Sequence, residues 1–563
     1  MGLFDNVWHL PLNWFGLRDI PAVPIKLSGL LDTISKLNKR GEQTLPARAG
    51  LTNLYTIGGQ TATAEQFLYG PQKLTALSLE EPEQFAMSWT NYEGVFARFA
   101  DRIPDFAATL TDAAHATQRF WPLIADNGYG YNLLMLSKAG AANLARLRNL
   151  FTPVWSVDWD KLAERGGLFF IDLSIFVSTA PGKLSGFTRF TPATVTLLAQ
   201  DPATKALTPF AVRVAGQNDG GVQHFVWGQG IPEDKQATPS AWIYALQAAK
   251  TSVTVYGIWL GHVYHWHLVT AAMQMAMFNT LPSDHPVYKL VAPQSDYLFQ
   301  FDEFLLLVWN SIAPPTSYTT RSAILHLWNT FANGRNYFDD DPTTALQAQG
   351  IVAADFTKDK PWDLYPAAQG LLQIFSDTQA YADDFVNITY ASDQEVGDDV
   401  HLQAWMKQAG DPYEANIRGL PKLDSRAALT RVLTSLIYRI TAHGISRLMR
   451  TAYPAQLFVP IFPPCMQIAT IPSPQSELTM GQLLACLPKA GTIASLLTFG
   501  TFFVFSTPYV PFIPKGGVNE DLFFPKGDPR NKGLVTYREA LIAFINAYAP
   551  GETTGQWPRN IET

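Results

Sequence analysis

The run TSVTVYGIWLGHVYHWHLVTAAMQMAMFNTLPS, residues 251–283, contains no Asp, Glu, Lys or Arg, but it contains His262, His265 and His267. Its apolar character predicts a buried core helix. Three histidines on such a helix would each need a polar partner, and a metal ion would satisfy two of them at once. Imidazole ligands with carboxylate help and no cysteine point to non-haem iron among the redox metals.

The spacing of the three histidines leaves two possible ligand pairs. On a regular helix His262 and His265 lie about 60° apart and His262 and His267 lie about 140° apart. Regular winding therefore favours the first pair. A π-type insertion, which occurs as a single turn at functional sites, would instead bring the five-residue spacing onto one face.

The composition predicts a large apolar core. Only 16% of the 563 residues are charged, against about 25% in ordinary globular proteins, while 47% are hydrophobic. The net charge of −7 and the lack of a basic block exclude the usual electrostatic pattern of a nucleic-acid-binding protein. The two cysteines, Cys465 and Cys486, are too few for a disulfide framework or a cysteine metal cluster.

No membrane span is expected from the sequence. The uncharged run at 251–283 carries ionisable histidines, which are costly inside a bilayer. A second uncharged run, at 490–514, is interrupted by glycines and prolines. The N-terminal residues lack a basic segment followed by an apolar one, so an unprocessed cytoplasmic protein is expected, with peripheral membrane contact left open.

Apolar spacings of three and four predict a mainly α-helical protein. Three short strand-like runs predict a small β patch. No repeat and no low-complexity linker divides the chain, so we expect one domain over residues 1–563, with 1–90 as a helical or irregular N-terminal extension. The predicted helices are 82–106, 240–279, 298–311, 320–333, 366–392, 425–449 and 537–548. The predicted strands are 167–175, 194–199 and 207–214.

An acidic run, Asp339 to Asp341 in YFDDDP, stands out in this weakly charged chain. The ligand spacing of a calcium loop is absent. We therefore expect the run to form a solvated turn.

Two histidine motifs together resemble the lipoxygenase family: H262-VYHW-H267 and H285-PVYKLVAP, which begins eighteen residues after His267. The resemblance implies that His262 and His267 are iron ligands on a local π-helical segment. It also implies that His265 is not a ligand, and we expect it to be a structural residue or to lie just behind the ligands.

Further segments extend the resemblance over most of the chain. DDFVNITYASDQEVGDDVHLQAWMK, residues 383–407, is similar to a family segment, and LTSLIYRITAHGISRLM is similar to the helix that carries the third ligand, here His443. The end WPRNIET resembles the family tail whose last carboxylate ligates iron, here Thr563. These matches imply a large lipoxygenase-like helical fold of the bacterial single-domain type, without an N-terminal β-sandwich lipid-binding domain.

Two departures bear on the expected chemistry. Arg447 stands where the family has a weak Asn, His or Ser ligand, and a guanidinium cannot ligate a metal. Ser446 or water is left to fill that position. Leu305 stands where the family has Ala or Gly at the position that governs oxygenation stereochemistry, so we expect Leu305 to line the substrate pocket.

The resemblance implies a dioxygenase reaction on a polyunsaturated fatty acid or related lipid. Iron-bound hydroxide held by His262, His267 and His443 would abstract hydrogen from a bis-allylic CH2, and O2 would then add to give a lipid hydroperoxide. Manganese is an alternative to iron, and a monomer is expected. Leu305 and Arg447 motivate a second hypothesis, a lipoxygenase-fold enzyme for another apolar substrate or for hydroperoxide isomerisation. A third hypothesis is a non-catalytic lipid-binding relic.

Overall fold

The computed structural model describes most of the chain from residue 103 onward. The described residues are 56–57, 60–61, 103–125, 134–151, 159–179, 181–184, 187–216, 221–228, 231–292, 319, 321–356, 364–412, 414–446, 461–488 and 524–548. The predicted helix at 298–311, most of the one at 82–106 and nearly all of the expected extension at 1–90 lie outside them.

Helices make up most of the described chain. They are α1 Ile103–Ala108, α2 Ala113–Ala125, α3 Ala141–Phe151, α4 Trp159–Glu164, α5 Pro239–Tyr256, α6 Val269–Thr280, α7 Pro286–Val291, α8 Arg321–Gly334, α9 Pro342–Ala348, α10 Pro366–Thr389, α11 Asp393–Asp398, α12 Val400–Gly410, α13 Arg426–Ser446, α14 Met480–Ala485 and α15 Arg530–Tyr548. A π-helical segment, Gly257–Leu268, joins α5 to α6, and short 3-10 turns lie at Ser174–Ser178, Glu233–Lys235 and Ala353–Asp355.

The strands are short and all of their pairings are antiparallel. They are β1 Thr56–Ile57, β2 Gln60–Thr61, β3 Leu136–Lys138, β4 Leu168–Leu173, β5 Gly182–Leu184, β6 Phe187–Arg189, β7 Ala193–Gln200, β8 Leu207–Ala215 and β9 Val222–Val226. One sheet has the order β3-β4-β7-β8-β9, and β1-β2 and β5-β6 form separate two-stranded pairs.

The five-stranded sheet is covered on both faces, which explains why its central strands are apolar almost throughout. Side chains of β4 alternate between two cores: Phe169 and Ile171 join the main core, while Leu168 and Phe170 join a smaller cluster with Phe151 of α3. The predicted strands at 167–175, 194–199 and 207–214 correspond to β4, β7 and β8. The edge strands β3 and β9 were not predicted.

The central feature is a helix that runs without a break from Pro239 to Thr280. It begins at the N-cap Thr238, whose side chain accepts from the Ala241 N–H, and Pro239 suits the first turn. Nearly every side chain along it is buried. A helix that is apolar on all sides belongs in a core, and the predicted buried helix at 240–279 is confirmed.

A second group of helices packs on the central helix through α12 and α13. α10 packs against α13 and α15, and both α13 and α12 pack against α6. The Tyr537 hydroxyl of α15 hydrogen-bonds to Thr378 of α10 at 2.9 Å and to Thr441 of α13 at 2.7 Å. Helix α15 begins seven residues before the predicted start at 537.

The architecture confirms the predicted mainly α-helical fold with a small β patch. None of the helices in the described part of the chain combines the length and apolar character needed to cross a membrane.

Both cysteines are buried free thiols. Burial raises the pKa of Cys465 to about 11 and that of Cys486 to about 12. The one-domain organisation over 1–563 stays a prediction.

A single carboxylate connects α7, the end of α10 and the start of α12. His285 caps α7 by accepting from the Val287 N–H at Nδ1, 3.2 Å away, which leaves Nε2 to donate to Asp399 at 3.0 Å. The Tyr390 hydroxyl donates to the same carboxylate oxygen at 3.0 Å. The other oxygen of Asp399 caps α12. Although burial opposes it, this hydrogen bonding, led by His285, lowers the pKa of Asp399 to about 2.

We expect Asp399→Asn to lower the free energy of unfolding at pH 7 by roughly 2 kcal/mol, because a depressed folded-state pKa means that the charged form stabilises the fold. This contribution is fully present above the usual value of 3.8 and is lost as the pH falls toward 2. Urea unfolding at pH 7 and at pH 3 would measure it, with the exposed Asp398→Asn as control. A difference between the two variants that does not shrink at the lower pH would contradict this account.

Candidate metal centre

The segment Gly257–Leu268 is wound as a π-helix with α-helix on both sides. Where it ends, the backbone N–H of Val269 donates to the Tyr264 carbonyl, five residues back. The expected π-helical segment is confirmed.

The π winding brings His262 and His267 together. Their ring centroids are 4.9 Å apart and their planes are inclined by 54°, whereas regular winding would separate the two residues by about 140° around the axis. His267 is only 1% exposed and His262 is half-buried. Adjacent imidazoles in apolar surroundings suit a shared first-row metal ion, since neutral imidazole nitrogen is a good ligand for such metals.

His265 is instead paired with a buried carboxylate. Its Nδ1 donates to Asp340 Oδ2 at 3.1 Å, and Arg335 donates to the other oxygen of Asp340 at 2.6 Å. Burial, assisted by the nearby Arg439, lowers the pKa of His265 to about 4, so its ring is neutral at pH 7. Burial opposes ionisation of Asp340, but its contacts with His265 and Arg335 keep the pKa of this carboxyl below its usual value.

The next carboxylate, Asp341, connects the turn that contains Asp340 to α13. The Ser435 hydroxyl donates to Asp341 Oδ1 at 2.5 Å, and Arg439 donates to Ser435 and to the Tyr337 carbonyl. Burial raises the pKa of Asp341 to about 6, with Arg439 acting in the opposite direction. Arg439 lies four residues before His443 on α13, so this network fixes the helix turn that precedes His443.

The prediction of a solvated turn at Asp339 to Asp341 is therefore wrong. Asp340 is only 8% exposed and Asp341 only 3%. Their roles were not recognised from the sequence, where an acidic run before a proline is typical of a surface loop. One signal pointed to them: three histidines in the buried run 251–283, which has no Asp, Glu, Lys or Arg, need partners from elsewhere in the chain.

The third predicted ligand, His443, lies on α13, which packs against the π segment. Trp266 and Tyr438 are in contact at this interface, with ring centroids 5.6 Å apart. Among the side chains that the structure describes, no third His, Cys, Asp or Glu joins His262 and His267 in a metal-binding group. The ligand roles of the three histidines stay predictions.

Several predicted site residues lie outside the described part of the chain. The side chains of His443 and Ser446 are among them, and so are the whole residues Leu305, Arg447 and Thr563.

The fold and the site together define a class: a large helical protein whose core helix carries a histidine pair in a π-wound turn. The family model described as Lipoxygenase matches residues 183–490, more than half of the chain. The chain therefore belongs to the lipoxygenase family.

The relatives agree with this assignment. The rat polyunsaturated fatty acid lipoxygenase ALOX15B is 23% identical over 337 residues, which cover 59% of this chain and 48% of the relative. The mouse hydroperoxide isomerase ALOXE3 is 25% identical over 346 residues, covering 60% and 46% of the two chains. The chain thus spans about half the length of these curated relatives.

A crystal structure of a lipoxygenase in complex with arachidonate has the same fold. It superimposes with a TM-score of 0.65 and 16% identity, covering 94% of this chain and 75% of that one. This likeness supports the architecture described above.

We expect Asp340→Ala to lower the free energy of unfolding by about 3 kcal/mol, because it leaves the His265 ring buried without its acceptor and removes the partner of Arg335. Chemical denaturation would measure the loss. The neighbouring Asp339→Ala is the matched control, since Asp339 accepts from the Asn336 N–H at an exposed turn. We expect this control to cost less than about 1 kcal/mol. Equal losses would contradict the role given to the buried carboxylate.

Proposed function

We propose that this chain is a non-haem iron dioxygenase that inserts O2 into a polyunsaturated fatty acid or its ester and forms a lipid hydroperoxide. The observation that carries the proposal is the adjacency of His262 and His267 in the π-wound turn of a buried helix. Membership of the lipoxygenase family supports fatty-acid oxygenation in general.

The residues present fit a first-row metal. His262 and His267 offer imidazoles from one face of the helix, and apolar surroundings favour the neutral form that binds metals. His443 on the packed helix α13 and the terminal carboxylate of Thr563 are the further ligands that we propose. A donor set of imidazole and carboxylate suits iron, and it also accommodates manganese.

The iron would supply the one-electron chemistry needed to remove hydrogen from a bis-allylic CH2. The chain's own residues hold and orient this centre. Asp340 holds the His265 ring by a hydrogen bond, which leaves His262 and His267 as the adjacent pair. The contacts of Asp341 with Ser435 and Arg439 fix the part of α13 that precedes His443. Ligand orientation of this kind tunes both metal affinity and reactivity.

The apolar interior favours a lipid substrate. The π segment itself carries buried aromatic and aliphatic side chains, among them Trp259, Leu260 and Trp266. Apolar surroundings exclude water from a reactive carbon radical and suit an acyl chain better than a polar substrate. The relative named as a polyunsaturated fatty acid lipoxygenase and the neighbour bound to arachidonate support this substrate class.

A second candidate function is isomerisation of a lipid hydroperoxide. The similarity to a hydroperoxide isomerase favours it, and so do Leu305 and Arg447, which replace the smaller or neutral residues of the family pattern. Oxygen uptake separates the two functions: the dioxygenase consumes O2 with a fatty acid, whereas the isomerase consumes added hydroperoxide without O2 uptake.

Elemental analysis of protein without a C-terminal tag is expected to find about one iron atom per chain, because the proposed ligands form a single site. His262→Ala and His443→Ala are each expected to lose most of this metal. His401→Ala is the control, since His401 is exposed and its ring contacts the Thr280 carbonyl.

Metal that is absent from the wild type, or unaffected by both substitutions, would sink the proposal. The lipid-binding alternative would then be tested by measuring fatty-acid binding to wild type and His262→Ala. Equal binding by the two proteins would support a non-catalytic role.

We expect Leu305→Ala to shift the position or chirality of the hydroperoxide formed from a linoleate-like fatty acid, because it removes roughly three methylene-sized groups of side chain from the pocket wall. Chiral chromatography of the products would measure the shift. An unchanged product profile at full iron occupancy would show that Leu305 does not line the pocket.

A further inference from the structure

Helix α8 contacts the π segment at two aromatic positions. The Trp328 indole N–H donates to the Trp259 carbonyl at 2.9 Å in a buried site, and the two indole rings are 6.1 Å apart. Phe331 packs edge-on against Tyr264, with ring centroids 5.5 Å apart and planes inclined by 81°. Helix α8 therefore contacts both the backbone and the side chains of the π segment.

The spacing of these contacts matches the π winding. Trp259 and Tyr264 are five residues apart, as are His262 and His267. Bonding from residue i to residue i+5 places such pairs about one turn apart on the same side, whereas regular winding turns them about 140° away from each other. Trp328 and Phe331 are three residues apart on a regular helix and share one face. That face meets both Trp259 and Tyr264 because the segment is π-wound.

Helix α8 is also held from its other side. The His326 ring Nε2 lies 3.0 Å from the Ile175 carbonyl and 2.7 Å from the Ser178 hydroxyl, in the 3-10 turn that follows β4. Residues two apart on a helix point about 200° away from each other. Helix α8 is thus held between the 3-10 turn after β4 and the π segment, and the Trp328 indole connects it to the Trp259 carbonyl.

We propose that α8, through Trp328 and Phe331, selects the π winding that brings His262 and His267 together. Trp328 is a positioning residue, because it acts on the histidine pair through the Trp259 carbonyl three residues before His262. The consequence for metal binding rests on the function proposed above. The proposed effect of α8 on the π winding does not depend on that function.

The test compares Trp328→Phe with Trp405→Phe. The Trp405 indole N–H donates to the Met273 carbonyl at 2.9 Å, also in a buried site, and Met273 lies on α6 of the same continuous helix, beyond the π segment. Both substitutions remove one buried indole donor to a backbone carbonyl and leave a similar space. The two variants differ in which turn of the central helix loses the bond.

Two readouts are needed. Hydrogen–deuterium exchange followed by mass spectrometry reports local opening without any metal, and we expect Trp328→Phe to raise exchange in peptides over Gly257–Leu268. We expect Trp405→Phe to raise it in peptides over Val269–Thr280. Chelator competition reports iron affinity, and we expect Trp328→Phe to weaken it roughly fivefold to tenfold, the effect of one hydrogen bond. The control is expected to change iron affinity by less than about twofold.

Each outcome decides one of the two proposals. If the two variants match in exchange pattern and in iron affinity, the role of α8 is overturned while the metal site stands. If the wild type holds no iron, the metal site fails and the exchange pattern alone decides the role of α8. Phe331→Leu removes the ring against Tyr264 but keeps the indole donor, so it serves if Trp328→Phe does not fold. Unchanged exchange over the π segment in Phe331→Leu would overturn the proposal.

Discussion

The burial of the central helix from Pro239 to Thr280 is the constraint on which the rest of the structure depends. A polar group inside an apolar core is costly unless it has a partner, and this helix carries histidines, hydroxyls and an altered backbone winding through the core. Partners come from distant parts of the chain: Asp340 meets His265, and Ser252 donates to the Pro192 carbonyl at 2.7 Å. The surrounding elements are arranged around these requirements.

The sequence predicted the parts of the fold that depend on local periodicity. The apolar run at 251–283 predicted the buried helix, and short strand-like runs predicted β4, β7 and β8. The choice between His265 and His267 as the partner of His262 could not be made from spacing alone. Backbone winding depends on tertiary contacts such as those of α8, and only the family resemblance implied the π segment that the structure contains.

Features that depend on distant partners were missed or misjudged. Asp340 and Asp341 were expected in a solvated turn because short acidic runs next to proline are common at surfaces, yet their partners lie on the π segment and on α13. The edge strands β3 and β9 are three and five residues long, too short for alternation to distinguish them from loops. In each case the deciding contact is far away in the sequence.

The two cysteines illustrate a chemical consequence of so complete a core. A thiol reacts with peroxides as its thiolate, and burial raises the pKa values of Cys465 and Cys486 so far that almost no thiolate exists at neutral pH. These are the only cysteines of the chain. Neither thiol is therefore available as a thiolate to a lipid hydroperoxide, the product of the proposed function, and burial disfavours oxidation of both cysteines.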